Sequence, residues 1–480
     1  MTFSRGQVWR TEHAERMSVI VDAEDYFRFA RAAMLKARKR IMLIGWDFDA
    51  RIQLVRAGHD KGEPRTVGEF IYWLATRTPE LEVFFLRWDV GALKTLTRGT
   101  TFLTVLKWMS HPRIHIKLDS FHPIAGSHHQ KIIVIDDCVA FCGGIDMTGD
   151  RWDTRAHRDD EPGRRRPGGK SYGPWHDATT AVQGPIAAAL GELSRDRWKR
   201  AGGTPIEPAP GEADCWPDEL EADFRHVDVS VARTLPEMPD CPEVREIEAL
   251  FEAQIRLAKR SIYAESQYFA SARIAGAIAA RLDEPDGPEI VIINPLSALG
   301  WLETLAMDTA RARLMAALMK RDAHGRLRMY HPFTAGGEPI YVHAKVLIID
   351  DASLRIGSAN MNNRSLGLDS ECDVVVEAHG EADATTIRAI RDGLIAEHLG
   401  LSREQVANEI DERGSIIEAI ECLRGKGKTL RPFAITDLNE VEKWLADNEV
   451  LDPEGPSGMF EPTSGGGLLR RLRRTPAVKH

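Results

Sequence analysis

Residues 128–148 read HHQKIIVIDDCVAFCGGIDMT, and residues 342–362 read VHAKVLIIDDASLRIGSANMN. A constant offset of 214 positions, with no gap, pairs His129 with His343, Lys131 with Lys345, Asp136 with Asp350 and Gly143 with Gly357. A second match, KRIMLIGW at 39–46 against KRSIYAES at 259–266, has an offset of 220. Two matches at nearly the same spacing indicate an internal duplication, with two similar halves related by a pseudo-twofold axis.

The alternation of apolar segments around the repeat predicts the fold class. IIVI and VLII, which follow the two His-x-Lys pairs, are apolar at every position, as expected of central strands buried on both faces. We therefore predict an α/β fold in which helices cover a mixed sheet on both faces. In the first half, helices are predicted at 26–39, 67–76 and 96–109, and strands at 40–46, 81–87 and 114–118.

Changes in composition divide the chain into five predicted segments. The connector between the halves is rich in Pro, Gly and acidic residues, and the patterns after about residue 380 are helical. The segments are a first half at 15–205, the connector at 206–224, a second half at 225–400, a helical C-terminal extension at 401–460 and a basic, disordered tail at 461–480. Helices are predicted there at 383–397, 402–411, 414–423 and 437–447.

Composition and charge argue against several classes of protein. The net charge of −9 does not favour the broad basic surface used in nucleic-acid binding, so no nucleic-acid partner is expected. The sequence has no apolar run of transmembrane length and no apolar signal-peptide core near its N-terminus. Six cysteines without CxxC or zinc-like spacing predict reduced, mostly buried thiols. We expect a cytoplasmic protein that contacts membranes peripherally.

The two His-x-Lys pairs indicate a site for an anion. Alternate residues of a strand share a face, so His129 and Lys131 point the same way, as do His343 and Lys345. A lysine ammonium buried beside an imidazole is unfavourable unless an anion pairs with it. Two such pairs in matched register predict one anion, such as a phosphodiester, held between the two halves.

Two facing histidines can divide the work of phosphoryl transfer. A neutral imidazole attacks phosphorus, while a protonated one donates to the leaving alkoxide and then deprotonates the incoming water or alcohol. Histidine suits both roles because its unperturbed pKa of about 6.5 lies near neutral pH. Lysines and backbone donors stabilise the phosphoryl oxygens, so the scheme requires no divalent metal and no cofactor.

Two carboxylates are candidates to fix the tautomers of the histidines. Glu371 opens the strand after the second motif, and we expect it to hold His343. Asp177 opens the corresponding strand of the first half, and we expect it to hold His129. A carboxylate on the second ring nitrogen would leave the first free for chemistry.

The remaining motif residues receive supporting roles. Asp136 and Asp350 lie at odd spacing from the lysines, so we expect them to point away from the pocket and hold the following turn. Asp146 stands where the second half has Asn360, so the two halves are not expected to bind phosphate equally. The motif members assigned to catalysis are His129, Lys131, Asp136, His343, Lys345 and Asp350. The expected phosphate-binding residues are Lys131, Lys345, Ser358, Asn360 and Gly144.

HxKxxxxD followed by G-[GS]-x-[ND], present twice, resembles the phospholipase D superfamily over roughly residues 20–400. AFCGGIDMTGDRWDT, PWHDATTAVQGP, SIYAESQYF, IGSANMNNRSLGLDSE and GLIAEHLGL are similar to the catalytic core of plant and animal phospholipases D. The resemblance implies two α/β-sandwich halves, with His129 as nucleophile and His343 as acid and base. It also implies a glycerophospholipid substrate, cleaved to phosphatidic acid or transferred to another alcohol. Ser266 departs from the Asn usual in these enzymes.

Three alternatives stay open at this point. A cardiolipin or phosphatidylserine synthase shares the repeat, a phosphodiesterase acting on nucleic acid shares the chemistry, and a non-catalytic relative would only bind phosphate or lipid. Two basic segments, 155–170 and 468–480, are candidates for contact with anionic lipid, although solvated or disordered segments have the same composition. A monomer is sufficient because one chain carries both half-sites.

Overall fold

The computed structural model describes residues 4, 6–56, 62–89, 101–123, 126–211, 214–298 and 301–434. The architecture is α/β, as predicted. Within these residues the strands form one 16-stranded mixed sheet and a separate two-stranded sheet, and helices pack against the large sheet.

The strands of the first half are β1 Arg10–Val21, β2 Arg40–Gly45, β3 Glu82–Trp88, β4 Ile114–Asp119, β5 Ile132–Ile135, β6 Val139–Gly143, β7 Trp175–His176 and β8 Ala178–Gln183. The later strands are β9 Phe224–Leu235, β10 Val244–Arg245, β11 Ser261–Glu265, β12 Glu289–Ile293, β13 Leu327–Phe333, β14 Tyr341–Val342, β15 Val346–Ile349, β16 Ser353–Gly357, β17 Glu371–Glu377 and β18 Thr429–Pro432.

The helices are α1 Ala23–Leu35, α2 Val67–Arg77, α3 Thr101–Met109, α4 Pro185–Arg200, α5 Glu246–Leu257, α6 Ala272–Leu282, α7 Trp301–Arg321, α8 Glu381–Leu399, α9 Arg403–Arg413 and α10 Ile416–Leu423. A single π-helical turn spans Arg364–Leu368.

The order of the strands repeats between the two halves. From the centre outward, the first half runs β1-β8-β6-β5-β2-β3-β4, and the second runs β9-β17-β16-β15-β11-β12-β13, with β18 on its outer edge. Strands β1 and β9 pair in antiparallel fashion, so the sheet is continuous across the halves. The same order on both sides agrees with the predicted pseudo-twofold axis, while a common origin of the halves stays a sequence-based prediction.

The two motif strands lie in the interior of the sheet. Strand β5 pairs with β2 and β6, and strand β15 pairs with β11 and β16. In β5, Ile132 and Val134 enter one apolar core, while Ile133 and Ile135 enter a second core on the opposite face. Burial on both faces is the reason that IIVI is apolar without alternation.

Most predicted elements lie close to the observed ones. The helix predicted at 26–39 spans 23–35, and those predicted at 383–397, 402–411 and 414–423 span 381–399, 403–413 and 416–423. The extension is not purely helical, because β18 returns to pair with β13. The predicted helix at 437–447 and the basic tail, including 468–480, lie outside the described residues.

Two sequence expectations concern cysteines and membrane spans. All six cysteines are free thiols, five are buried, and Cys422 is exposed. In the part of the chain that the structure describes, no helix combines the length and apolarity needed to cross a bilayer.

Candidate active site

The structure brings the two motif histidines together. The ring centroids of His129 and His343 lie 6.5 Å apart, with the ring planes inclined at 60°. His129 keeps 15% of its side chain exposed, and His343 keeps 6%. The two rings therefore face each other at one largely buried site formed by both halves.

Each histidine contacts a carboxylate from the opposite half. Nδ1 of His129 lies 3.0 Å from Oε2 of Glu371, and Nδ1 of His343 lies 2.7 Å from Oδ2 of Asp177. The sequence-based assignment of Glu371 to His343 and of Asp177 to His129 is therefore wrong. With Nδ1 engaged in both rings, Nε2 is the nitrogen that each histidine has available for a ligand.

Backbone pairing between the halves explains this exchange. The N–H of His129 donates to the carbonyl of Ser370 at 3.0 Å, and the N–H of His343 donates to the carbonyl of His176 at 2.8 Å. Each histidine thereby lies beside the residue that precedes the other half's carboxylate. The repeated motifs identify the two histidines and the two carboxylates. They do not show which half supplies the carboxylate that each histidine contacts.

The two lysines have different surroundings. Nζ of Lys131 lies 3.3 Å from Oδ2 of Asp146. Nζ of Lys345 lies 3.4 Å from Oε1 of Gln267 and donates to the carbonyl of His343, and no described carboxylate pairs with it. Burial lowers the pKa of Lys345 to about 7, against an opposing effect of the Asp177 carboxylate. The halves are thus unequal, as the Asp146/Asn360 difference predicts.

Burial also controls the charge of the histidines and carboxylates. Burial, reinforced by the two lysines, lowers the pKa of both His129 and His343 well below the usual value. Burial raises the pKa of Glu371 to about 7. Both imidazoles are therefore neutral in the free protein near pH 7. An anion bound beside the lysines favours the imidazolium form again, because it opposes the lysine charges.

Ser358 does not serve as the free phosphate donor that the sequence suggests. Its hydroxyl donates to Oε2 of Glu371 at 2.5 Å, and its N–H donates to Asp373 at 3.0 Å. The prediction for Ser358 is wrong because both donors are already used to hold the carboxylates of β17. The hydroxyl helps to fix the oxygen that faces His129.

Gly144 has a steric role in place of the predicted one. Its N–H donates to the carbonyl of Ala178 at 2.9 Å, so it is not directed at a phosphate. A Cβ at this position would lie 2.2 Å from Oδ1 of Asp177. Asn360, in contrast, is buried, and its Oδ1 has no hydrogen-bond partner among the described residues. Asn360 therefore keeps its predicted place among the ligand-binding candidates.

Asp136 and Asp350 do not belong with the reacting groups. The carboxylate of Asp136 accepts the N–H groups of residues 38–40 at 2.6–2.9 Å, and that of Asp350 accepts those of residues 259–261 at 2.6–2.8 Å. They point away from the pocket, as expected. They hold the segments that enter β2 and β11, however, and not the turn that follows them, so their inclusion in the catalytic set is wrong.

We expect Asp136→Ala to lower stability far more than it lowers activity. Three N–H groups lose a charged acceptor, and Ala is unfavourable at the positive φ of 51°. A loss of about 3–5 kcal/mol in the free energy of unfolding is expected in denaturant titrations. Asp228→Ala, at an exposed carboxylate, is the control. A large loss of kcat in a variant of unchanged stability would instead place Asp136 in the chemistry.

Aromatic rings border the two histidines. Trp46 lies edge-on to His129, with centroids 6.2 Å apart, and stacks on Trp88. Trp175 lies 5.2 Å from His343 and stacks on Tyr341. Trp46 directly follows β2, and Trp175 is the first residue of β7. Trp175 is buried and Trp46 is half-buried, so the apolar surface beside the reacting nitrogens lies on the Trp46 side.

Two polar residues near the site were not predicted from the sequence. The Arg151 guanidinium lies 4.2 Å from the ring centroid of Trp175 and contributes to the low pKa of His343. Gln267 approaches Lys345, as described above, and donates to the hydroxyl of Tyr341 at 2.8 Å. Both lie in the quoted motif stretches, where Arg151 directly follows a tight turn and Gln267 comes two residues after the end of β11.

Comparison with known proteins agrees with the duplicated pattern. Residues 33–230 match a family model described as Phospholipase D, and residues 251–390 match one described as Cardiolipin synthase, PLD-like domain. The chain belongs to the phospholipase D superfamily. Each of the two superfamily matches covers one motif, with His129 in the first and His343 in the second.

Curated relatives in the phospholipase D superfamily include plant enzymes. Phospholipase D alpha 1 of Ricinus communis is 25% identical over 539 aligned positions, which cover 82% of this chain and 65% of the relative. Phospholipase D alpha 1 of Arabidopsis thaliana is 24% identical with the same two coverages. This chain thus spans slightly less than two thirds of the length of the relatives it matches.

A solved structure confirms the phospholipase D-type fold. The phosphatidylserine synthase of Haemophilus influenzae Rd KW20 superposes with a TM-score of 0.56 at 14% sequence identity. The superposition covers 85% of this chain and 95% of the synthase. At this identity the likeness concerns the fold alone.

Ser266 marks the departure from the usual phospholipase D sequence. Its hydroxyl donates to the carbonyl of Tyr268 at 2.7 Å and accepts the N–H of Met361 at 3.2 Å. The residue therefore holds the backbone of two loops. The pocket beside Lys345 is bordered by Gln267 instead.

Proposed function

We propose that this chain is a phospholipase D-type phosphodiesterase that cleaves glycerophospholipids through a phosphohistidine. The observation that carries the proposal is the pair of facing imidazoles, each fixed through Nδ1 by a buried carboxylate of the opposite half. Two lysines lie beside the rings, and because Lys131 is already paired with Asp146, Lys345 is the one that offers its charge to a singly charged phosphodiester. The phospholipase D relatives support a lipid substrate.

The proposed reaction has two steps with balanced proton transfers. His129 attacks phosphorus through Nε2, the bond from phosphorus to the headgroup oxygen breaks, and protonated His343 donates its Nε2 proton to the leaving alkoxide. His343, now neutral, removes a proton from water, and the resulting hydroxide displaces His129. An alcohol in place of water gives the transphosphatidylation product.

The supporting residues act on charge and orientation. Glu371 holds the Nδ1 proton of His129, so the lone pair needed for attack lies on Nε2. Asp177 stabilises the His343 imidazolium that forms when the substrate anion is bound. Lys131, Lys345 and Asn360 are the proposed ligands of the phosphoryl oxygens. Every step is assigned to side chains, so no divalent metal is invoked in the chemistry.

The proposed setting is a monomer that contacts lipid from the cytoplasm. Both half-sites lie in one chain, so a second subunit is not needed to complete the site. The half-buried ring of Trp46, which lies edge-on to His129, offers apolar surface to a glycerophospholipid beside the charged centre.

A lipid assay tests the proposed function. Full-length protein is incubated with vesicles of phosphatidylcholine or phosphatidylglycerol, with EDTA, and with or without ethanol, and lipid products are measured by mass spectrometry. Phosphatidic acid, with phosphatidylethanol when ethanol is present, is the expected result. The His129→Ala variant is expected to give neither product. Cleavage of DNA or a generic phosphodiester without lipid turnover would contradict the lipid substrate.

A phosphatidyl-transferring synthase is the second candidate. It is favoured by the superposition on a phosphatidylserine synthase and by the family match over residues 251–390. The same vesicles distinguish the two functions, because a synthase acting on phosphatidylglycerol yields cardiolipin and glycerol. Cardiolipin as the main product would move the assignment from hydrolase to synthase.

We predict a bell-shaped pH dependence of kcat/KM with its maximum near pH 7. The pKa of Glu371 is raised to about 7, so the carboxylate that holds His129 is lost as pH falls through this value. The pKa of Lys345 is lowered to about 7, so the ammonium that binds phosphate is lost as pH rises. Lys345→Arg is expected to shift the alkaline limb upward by about two pH units or more, because guanidinium stays charged.

The control for this profile is Lys320→Arg, at an exposed position, which is expected to leave both limbs unchanged. An alkaline limb that does not move in Lys345→Arg would show that another group controls it.

A further inference from the structure

A second buried polar cluster lies behind the carboxylate that holds His343. It comprises Asp22, His157, His176 and Glu397, all buried, and one ligand atom from each lies within 4.8 Å of the others. Oε1 of Glu397 lies 3.0 Å from Nε2 of His157 and 2.8 Å from Nδ1 of His176. The carboxylate oxygens of Asp22 lie 3.4 Å from the same two nitrogens.

Hydrogen bonds to residues outside the cluster leave one ligand atom of each cluster residue directed at its centre. The other nitrogen of His157 lies 3.0 Å from Oδ2 of Asp153, and the other nitrogen of His176 lies 2.8 Å from Oε2 of Glu265. A carboxylate on the far nitrogen is the usual surrounding of a histidine that binds a metal. The second oxygen of Glu397 accepts from Arg155, which leaves Oε1 for the centre.

Asp22 provides an independent sign that a cation is needed. Its side chain is 1% exposed, and its Oδ2 has no hydrogen-bond partner among the described residues. A buried carboxylate oxygen without a donor is strongly unfavourable. The residue also occupies a positive φ of 67°, at the junction of β1 and α1. Nε2 of His157 lies 3.4 Å from this oxygen, too far for a good hydrogen bond, and a cation bound between the two atoms would satisfy both.

We propose that Asp22, His157, His176 and Glu397 form a structural site for one divalent transition metal of the zinc class. Two imidazoles and two carboxylates suit zinc, whereas calcium and magnesium prefer oxygen ligands alone. Bonds of about 2.0–2.2 Å place neighbouring ligand atoms of a tetrahedral zinc ion roughly 3.3–3.5 Å apart. The carboxylate-to-imidazole separations of 2.8–3.4 Å are close to these values, and one ligand atom from each residue lies within 4.8 Å of the others.

The position of this metal site gives it a positioning role. His176 directly precedes Asp177, and the carbonyl of His176 accepts the N–H of His343. The ion would tie β7 to helix α8, which carries Glu397, and thereby fix the strand that presents Asp177. It does not contact the phosphate in the proposed reaction, so this inference is independent of the proposed function.

No sequence pattern indicates this site, because its ligands come from four distant positions and no pair has the short spacing of a zinc motif. The alternative is a cluster without metal that is held by hydrogen bonds alone. In that state, His157 and His176 are both imidazolium ions between carboxylates. The two states differ in metal content, which can be measured without reference to activity.

The test is the metal content of the full-length protein. The protein is purified without a histidine tag from zinc-supplemented cells and passed over chelating resin, and its bound metal is then measured by plasma mass spectrometry. About one zinc per chain is expected in the wild type. Asp22→Asn and His157→Gln are expected to retain less than about 0.2 zinc per chain. His331→Gln, at another buried histidine, is the matched control and is expected to keep its metal.

Folded wild-type protein with less than about 0.1 equivalent of any divalent transition metal overturns the proposal. If the ligand variants do not fold, X-ray absorption of the wild-type protein decides, since two imidazole ligands are expected and their absence contradicts the site. His129→Ala is expected to retain zinc. Full zinc occupancy without lipid turnover would refute the proposed function and leave the metal site standing.

Discussion

His343→Asn is expected to release one equivalent of leaving group and then nearly stop. With a p-nitrophenyl phosphodiester, the leaving phenolate needs no protonation, so His129 can still attack phosphorus. The second step has lost the base that activates water, so the phosphohistidine accumulates. Steady-state turnover should fall by about 10²–10⁴-fold. Stopped-flow absorbance measures the burst, and intact-protein mass spectrometry detects the added phosphoryl group.

His129→Asn is expected to show neither burst nor adduct, with kcat lowered by roughly 10⁴-fold or more. His331→Asn serves as a control, since it replaces a buried histidine whose Nδ1 bonds to the carbonyl of Asn294. A burst in His129→Asn but not in His343→Asn would reverse the two roles. Loss of turnover in both variants without a burst in either would exclude the covalent route.

The repeat predicts the fold because it encodes local structure twice. An apolar run such as Ile132–Ile135 requires a strand buried on both faces, and the same requirement at Val346–Ile349 sets the second half. The helices predicted at 402–411 and 414–423 also lie within two residues of their observed bounds. Strand β18 could not be predicted, because it is short and its place depends on the edge of β13.

Only the part of the candidate site that depends on the alternation of side chains along a strand could be predicted from the sequence. Alternation places His129 and Lys131 on one face, and odd spacing turns Asp136 away. The partner of each histidine depends on how two halves pack, and that information is not local. Ser358 shows the same limit, since the sequence suggests a free hydroxyl for phosphate, whereas the fold bonds that hydroxyl to Glu371.

Glu371→Gln and Asp177→Asn are expected to fail at different steps of the reaction. The amide that Glu371→Gln introduces can donate to Nδ1 of His129, which moves the ring proton to Nε2 and removes the attacking lone pair. This variant should therefore lose the p-nitrophenol burst, with kcat lowered by about 10³–10⁴-fold. Asp177→Asn impairs His343, so it should keep the burst and slow the second step.

Asp373→Asn is the matched control, because Asp373 lies two residues from Glu371 on β17, is equally buried and contacts Ser358 but neither histidine. It should retain both burst and turnover within about tenfold. A double variant, His129→Asn with Glu371→Gln, should be no slower than His129→Asn alone, because the two residues act as one unit. If Glu371→Gln kept the burst and Asp177→Asn abolished it, the carboxylates would serve the histidines of their own halves, and the pairing across the halves would be wrong.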